Sequence, residues 1–483
     1  MARRFSIGYE PSCNKRMKLV STRDREKNTF SYTDVLLAGL APDGGLYIPQ
    51  ECPKVSLDEI SALKDASYAD IALVVKRALV DGAIPDAKLK QFIDAAYAPE
   101  VFDMENGSVT PVREIGESLY LQNLSLGPTA SFKDMAMQLL GREMEHVLEA
   151  KGKNLFILGA TSGDTGSAAE AAVKGLSRIG LCMLSPEEGM SAFQKAQMGA
   201  LSGDNIYNVS IRGRFDDCQD LVKAIKGNPE FADLGAVNSI NWGRIAAQTA
   251  YYFAGYLQVA KKIGDPIDVA IPSGNFGNAF SAYVAKRMGL PIRRIIIATN
   301  ENNVLDRLFK TGVYETRTAT VTSSPSMDIS KASNYERLFF DVCDQNAEKT
   351  RQYMETFNTT GRVDMKDFGL DKSAFVERGF VSGTSTHADR IAAIRQVYEE
   401  SKTIIDPHTA DGVYIAQQLK TDLPVICMAT ALPVKFEQTI QEALGFAPER
   451  PTRFKDLEKK ESGGFTTMDA DVGGLKDFIR PLL

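Results

Sequence analysis

The sequence predicts an α/β protein with two parallel-sheet lobes, helices on both faces of each sheet, and an N-terminal helical cap. Three observations predict it. Over residues 101–440 apolar strand-like runs alternate with helical runs, the order that parallel sheets and their crossover helices produce. Two of the strands, Asn154 to Leu158 and Asp268 to Ile271, run straight into turns rich in Gly, Ser, Thr and Asn that open helices. These turns are Gly159-Ala160-Thr161-Ser162-Gly163-Asp164-Thr165-Gly166-Ser167 and Pro272-Ser273-Gly274-Asn275-Phe276-Gly277-Asn278. Finally, Gly127-Pro128-Thr129-Ala130-Ser131-Phe132-Lys133-Asp134 presents a lysine just before a helical run through Met135, Met137, Leu139 and Leu140.

In chain order, residues 1–16 form a basic extension with Arg3-Arg4 and Lys15-Arg16. Glu10 and the missing apolar core argue against a secretory signal; a transit peptide, a disordered extension and a start at Met17 stay open. Residues 17–100 read as a mostly helical domain, with helices over Ser67 to Val80 and Asp86 to Tyr97 and an extended or turn segment at Ala41 to Pro49. In the first lobe, strands at Ile179 to Leu184 and Ile206 to Ile211 and a helix at Phe215 to Lys226 follow the first Gly-rich turn. A long helical pattern ending at Lys262 leads into the second lobe, with its own Gly-rich turn, a helical run to Met288 and a strand at Arg294 to Ala298. Phe340 to Phe380 alternates charged helical pieces with Gly361 and Gly369 and reads as a helical insertion. Asp406-Pro407-His408 starts a helix with an acidic N-cap and a proline in its first turn. The strand Pro424 to Ala429 follows, and residues 441–483 remain as a C-terminal segment.

Composition sets outer bounds. The chain has 483 residues, 44% hydrophobic and 24% charged, enough for two or three domains around a large core. A net charge of −6 gives no basic stripe for nucleic acid, and no apolar run nears the roughly 18 residues of a membrane helix. The expectation is a soluble, cytoplasmic protein. Cys13, Cys52, Cys182, Cys218, Cys343 and Cys427 are dispersed, which predicts no disulfide framework and no zinc site. The histidines are His146, in a charged helical run and read as solvated, and His387 and His408, read as pocket-lining. No serine elbow accompanies them, against a Ser-His-Asp hydrolase, and no Gly-x-Gly-x-x-Gly with an acidic partner points to NAD.

The chemistry rests on combination. Alone, a lysine before an amphipathic helix is a surface cation, and a Gly-rich turn is a tight connection. Together they describe a nucleophilic amine, able to form a Schiff base, beside two anion cradles made of helix N-terminal N–H groups.

Further strings add specificity: Met17-Lys18-Leu19-Val20-Ser21-Thr22-Arg23, Gly39-Leu40-Ala41-Pro42-Asp43-Gly44-Gly45-Leu46-Tyr47 and Ala429-Thr430-Ala431-Leu432-Pro433-Val434-Lys435-Phe436. With the lysine and the cradles they resemble the fold-type-II pyridoxal-phosphate enzymes (tryptophan synthase β-like), and within them the long-form threonine synthases. The resemblance covers most of the chain and implies pyridoxal 5'-phosphate held on Lys133, which then moves protons as a free amine. It implies that Phe132, Gly274, Asn275, Phe276, Gly277, Asn278 and Thr430 bind the cofactor, Thr430 facing the pyridine nitrogen. It implies that Ser162, Asp164 and Thr165 receive the substrate carboxylate, with Asp164 orienting the donors or capping the helix, and that Asn238, Ser239 and Arg244 receive the substrate phosphate. Leu432 departs from the polar residue common there.

The implied reaction converts the small molecule O-phospho-L-homoserine and water into L-threonine and phosphate, in a monomer or homodimer with no nucleic-acid or membrane partner. Two other readings stand beside it. One is a pyridoxal-dependent lyase that releases phosphate and a 2-oxo acid; the other is a non-catalytic binding protein on the same scaffold, against which the intact Lys133 and both cradles argue.

Overall fold

The alternating apolar runs condense into two sheets of unequal size, joined across a cleft. The computed structural model describes residues 17–80, 82–161, 163–188, 190–235, 239–457 and 464–483. The basic extension predicted over residues 1–16 lies outside them.

The chain opens with β1 (Leu19–Ser21) and β2 (Tyr47–Pro49), paired antiparallel with Leu19 opposite Pro49. Around them lie the helices Tyr32–Ala38, Leu57–Ala62, Tyr68–Val80 and Asp86–Ala96. Ser31 and Ser56 start the first two by accepting the N–H groups of Asp34 and Glu59, and Glu59 closes a capping box on Ser56. The inner faces of these helices, including Val35, Val75, Leu79 and Ile93, join one apolar core with the helices Asp134–Lys151 and Trp242–Val259. A buried charge pair ties the cap to the catalytic body: Lys76 Nζ lies 3.1 Å from Glu143 Oε2, and the Tyr32 hydroxyl bonds both at 2.6 Å.

β3 (Val112–Gly116) and β4 (Leu119–Asn123) form a hairpin whose tight connection places Ser118 at φ +55°. Such a short link joins only antiparallel neighbours, so this edge departs from the all-parallel sheet predicted. β5 (Leu155–Ala160), β6 (Ile179–Pro186) and β7 (Ile206–Arg212) build the smaller sheet. β8 (Ile267–Pro272) and β9 (Ile292–Thr299) return to the larger one. β10 (Val313–Glu315) pairs with β11 (Arg362–Asp364), and β11 lies inside the segment Phe340 to Phe380 read as a helical insertion; three-residue strands show no period in sequence. β12 (Phe380–Thr384), β13 (Val425–Ala429) and β14 (Phe465–Asp469) complete the sheets.

The larger sheet has the order β12-β9-β8-β13-β4-β3, and the smaller, all parallel, has the order β14-β7-β6-β5. In the larger sheet β8 and β13 are neighbours, and the chain leaves β8 for a helix packed on one face of the sheet (Gly277–Met288) and β13 for a helix packed on the other (Glu437–Leu444), which makes a topological switch point. Loops leaving the carboxyl ends of these two strands diverge there and leave a crevice, where open α/β sheets bind ligands. The outer face of the smaller sheet is sealed by Leu221, Ile225, Leu475 and Ile479. The outer face of the larger sheet is sealed by Ile394, Val397, Val413 and Ile440. His146, read as solvated, instead packs its ring 5.4 Å from that of Phe92. Among the described residues no helix is long and apolar enough to cross a membrane.

Because Lys76 and Glu143 are 1% exposed or less, neither can borrow solvent if the other is lost. Lys76→Met is expected to lower the unfolding free energy by about 3–5 kcal/mol in urea titrations. Lys76→Met with Glu143→Gln should recover most of that loss.

Candidate active site

The lysine stretch is shaped by its own small residues. A Cβ on Gly127 would sit 2.4 Å from Asp134 Cβ, so the turn closes only around glycine. Asp134, fully buried, accepts the Thr129 N–H at 2.8 Å and the Thr129 hydroxyl at 2.7 Å. Burial pushes its carboxyl up to about 6, with both Thr129 bonds pulling the other way. The stretch then lies along the end of β13: Ser131 sits opposite Ala431, Phe132 N–H donates to Thr430 O at 2.8 Å, and Leu432 N–H donates to Ala130 O at 3.1 Å. Lys133 directly precedes the helix Asp134–Lys151, and its side chain enters the crevice with Phe132 beside it, the amine 5.6 Å from the ring centre. Thr430, 6% exposed, lines the same crevice.

The loop after β8 faces the lysine. Phe276 adopts φ +64° as the chain turns into the helix Gly277–Met288, and a Cβ on Gly274 would meet Ile329 at 2.9 Å and the Met327 backbone at 3.1 Å. Asn278 Oδ1 accepts the hydroxyls of Tyr251 and Tyr252, both at 2.5 Å, which fixes the amide. Its Nδ2 and the Ser273 hydroxyl are buried in this loop without a hydrogen-bond partner among the described residues. Orphaned donors beside a helix N-terminus fit an oxyanion such as phosphate. Asn275 contributes through its carbonyl, which accepts the Asn334 N–H and Nδ2, each at 3.1 Å.

The first Gly-rich turn brings Asp164 to the other wall. Gly163, at φ +146° with a virtual Cβ 2.4 Å from the Gln194 amide, is the N-cap, and Asp164 is the first residue of the helix Asp164–Val173. Its carboxylate therefore does not cap the helix, one of the two roles foreseen for it. Oδ1 meets Lys435 Nζ at 2.6 Å and Gln194 Nε2 at 2.9 Å; Oδ2 meets the Ser326 hydroxyl at 3.1 Å and Lys133 Nζ at 3.4 Å. Burial alone would raise this carboxyl, but Lys435 and Lys133 outweigh it and hold it well below the usual carboxylate range. Burial lowers the Lys133 amine; Asp164 pulls it up, and the charges of Lys435 and Arg244 push it down.

Thr165, Ser239 and Arg244 also line the crevice. Arg244 is 4% exposed, and burial lowers its guanidinium to about 10. The Ser239 carbonyl accepts Asn334 Nδ2 at 3.2 Å, so one amide joins the Ser239 loop to the Asn275 loop. Arg337, fully buried, holds that joint through Asn334 Oδ1 and the carbonyls of Ile240 and Tyr47. Ser162 and Asn238 lie outside the described residues. Of the two histidines read as pocket-lining, His408 is in the crevice, its Nε2 accepting the Ser326 N–H at 3.0 Å while Nδ1 donates to Asp406 at 2.8 Å. His387 instead bonds Ser323 and Glu442, at 2.8 and 2.9 Å.

Sequence reading missed Gln194, Ser326, Asn334, Arg337 and the pairing role of Lys435. Lys435 lay inside a string already singled out, and the run of Ser and Thr before Ser326 was a visible sign of a side-chain-bonded loop.

Three family models match along the chain: threonine synthase N terminus at residues 18–97, pyridoxal-phosphate dependent enzyme at 105–357, and threonine synthase C-terminal at 409–479. The threonine synthase of Methylobacillus glycogenes is 46% identical over 475 residues, 96% of this chain and 99% of that one. The chain belongs to the threonine synthase family. Two solved members share its fold. A pyridoxal-phosphate-bound threonine synthase from Brucella melitensis superposes with a TM-score of 0.92 at 38% identity, covering 96% of this chain and 99% of that one. The yeast threonine synthase gives 0.89 at 34% identity, covering 96% and 98%. The family member described here is a pyridoxal-phosphate-dependent lyase of fold type II. The donors of the Gly274–Asn278 loop and the half-buried amine of Lys133 suit that cofactor's phosphate and aldehyde.

The raised carboxyl of Asp134 carries a pH signature. Its folded value near 6 exceeds the unfolded 3.8, so its contribution to stability is complete below about pH 4 and is lost as the pH rises through about 6. The stability gap between wild type and Asp134→Asn, read by urea unfolding, should therefore move in the variant's favour between pH 4 and pH 7.

Proposed function

We propose that the protein is a threonine synthase that converts O-phospho-L-homoserine and water into L-threonine and phosphate, acting in the cytoplasm as a monomer or homodimer. The observation that supports this reading is the Lys133 amine, 3.4 Å from Asp164, at a crevice whose walls offer separate donors for more than one anion. Bound through Lys133, pyridoxal phosphate supplies the electron sink that acidifies carbons next to the substrate nitrogen.

The remaining work falls to the chain. The N–H groups and orphaned donors at Ser273 and Gly274 to Asn278 would hold the cofactor phosphate, and the Thr430 hydroxyl would face its ring nitrogen without forcing protonation. Ser162 and Thr165 would receive the substrate carboxylate, with Asp164 ordering that turn. Arg244, with Ser239 and Asn238, would take the substrate phosphate, the leaving group; a buried guanidinium suits a dianion better than water does. Freed when the substrate amine replaces it, Lys133 Nζ would shuttle protons between the α-carbon and its neighbours, and burial, which lowers its affinity for a proton, favours that exchange. The crevice walls would position water for addition at the β-carbon and hold the substrate against premature release of a 2-oxo acid.

The test follows phosphate and threonine together from O-phospho-L-homoserine. Wild type should release both in step, and Lys133→Ala should release neither above background. Phosphate accompanied by 2-oxobutanoate and no threonine would contradict the assignment and favour the lyase. Arg244→Gln should raise KM for the phosphorylated substrate by about 10- to 100-fold, the worth of a hydrogen bond to a charged group.

A further inference from the structure

A carboxylate in the substrate-carboxylate turn poses an electrostatic difficulty, because it would repel the anion the turn is meant to receive. The structure answers it from the opposite lobe. Lys435 stands in the short turn Pro433–Phe436 that follows β13, has no side-chain exposure, and meets Asp164 Oδ1 at 2.6 Å. The same ammonium donates to Thr129 O at 2.9 Å. One cation thus joins the end of β13, the turn that carries Lys133, and the first Gly-rich turn. With Lys435 and Gln194 on Oδ1, the second oxygen is left to Lys133 and to the Ser326 hydroxyl.

We propose that Asp164 and Lys435 work as one neutral unit in which Lys435, a positioning residue, holds the Asp164 carboxylate from the opposite lobe and aims its second oxygen, steadied by the Ser326 hydroxyl, at the Lys133 nitrogen. The pair brings no net charge to the turn, so an arriving carboxylate near Thr165 meets donors without a net opposing anion. Its rigidity comes from burial: charges this close and this dry stabilise each other, and loss of Lys435 leaves Lys133 as the cation on the Asp164 carboxylate.

Among the described residues, three other charged or titratable groups surround Lys133. Arg244 approaches from the helix Trp242–Val259. His408 approaches from the helix Pro407–Gln418 and is committed to Ser326 and Asp406. Asp134, on the lysine's own helix, turns both oxygens toward Thr129. Asp164 is the anion within reach of the amine, and Lys435 decides how much of that charge the amine feels.

The inference rests on Lys133 as the cofactor lysine, and its test separates the two claims. Full-length holoenzyme is prepared as wild type, Lys435→Gln, Asp164→Asn and the double variant, and the cofactor absorbance band is titrated against pH to read protonation of the Lys133 nitrogen. Lys435→Gln releases Asp164 to pair with that nitrogen and should shift the titration upward by about 1–2 pH units. Asp164→Asn should shift it downward. In the Asp164→Asn background the Lys435 substitution should move it less than half as far, because the carboxylate that transmits the effect is gone. Thermal unfolding supplies a second cycle, in which the double variant should be more stable than Lys435→Gln alone.

No shift in Lys435→Gln, or a shift of equal size in both backgrounds, would overturn the proposal. If Lys435→Gln cannot be purified folded, a soluble double variant supports the pair and an insoluble one overturns it. A wild type without a cofactor band would contradict the function assigned to Lys133, and the unfolding cycle would still decide the Asp164–Lys435 unit.

Discussion

A carboxylate removed from water needs cations arranged around it, and at Asp164 that need organises the centre of the molecule. Its ammonium partners come from different parts of the chain, Lys133 before the helix Asp134–Lys151 and Lys435 after β13. Ser326, from the loop before the helix Tyr335–Val342, adds a hydroxyl, and Gln194 an amide. Satisfying one buried charge therefore fixes the smaller lobe against the larger, and two of its partners, Lys133 and Ser326, line the crevice. The Lys133 amine is held by the same interaction that holds the lobes.

The rest of the architecture brings these groups within reach. β8 and β13 lie side by side although more than a hundred residues separate them in sequence, and their diverging loops deliver the Gly274–Asn278 turn and Thr430 to the two sides of one crevice. The lysine stretch is laid onto β13 through backbone bonds at Ala130, Phe132 and Leu432, so Lys133 and Thr430 are placed by the main chain rather than by mobile side chains. Asn334 and Arg337 then join the Ser239 and Asn275 loops to the carbonyl of Tyr47 in the N-terminal cap, which makes the cap part of the site's support.

Much of this was legible in the sequence, and what was not has a physical reason. Strand, Gly-rich turn and helix are local events: β5, β8 and the helices after them follow from apolar runs, glycine clearance and capping chemistry within about a dozen residues, so they were readable. The lysine's place before a helix was readable for the same reason. The β10–β11 pair was not, because strands of three residues carry no periodicity. The partners of Asp164 were not, because a pairing between residues 164 and 435 leaves no trace in either neighbourhood. His387 and His408 stood in equally suggestive strings, and only the three-dimensional placement separates the one beside Ser326 from the one beside Glu442.

The measurement that tests the central claim most directly is borohydride reduction of the holoenzyme followed by peptide mass spectrometry. Two lysines, the half-buried Lys133 and the buried Lys435, stand against the two oxygens of Asp164, and each offers an amine. The account expects the reduced cofactor mass on the peptide containing Lys133, with the Lys435 peptide unmodified. Cofactor trapped on Lys435, or on any lysine outside the crevice, would contradict it.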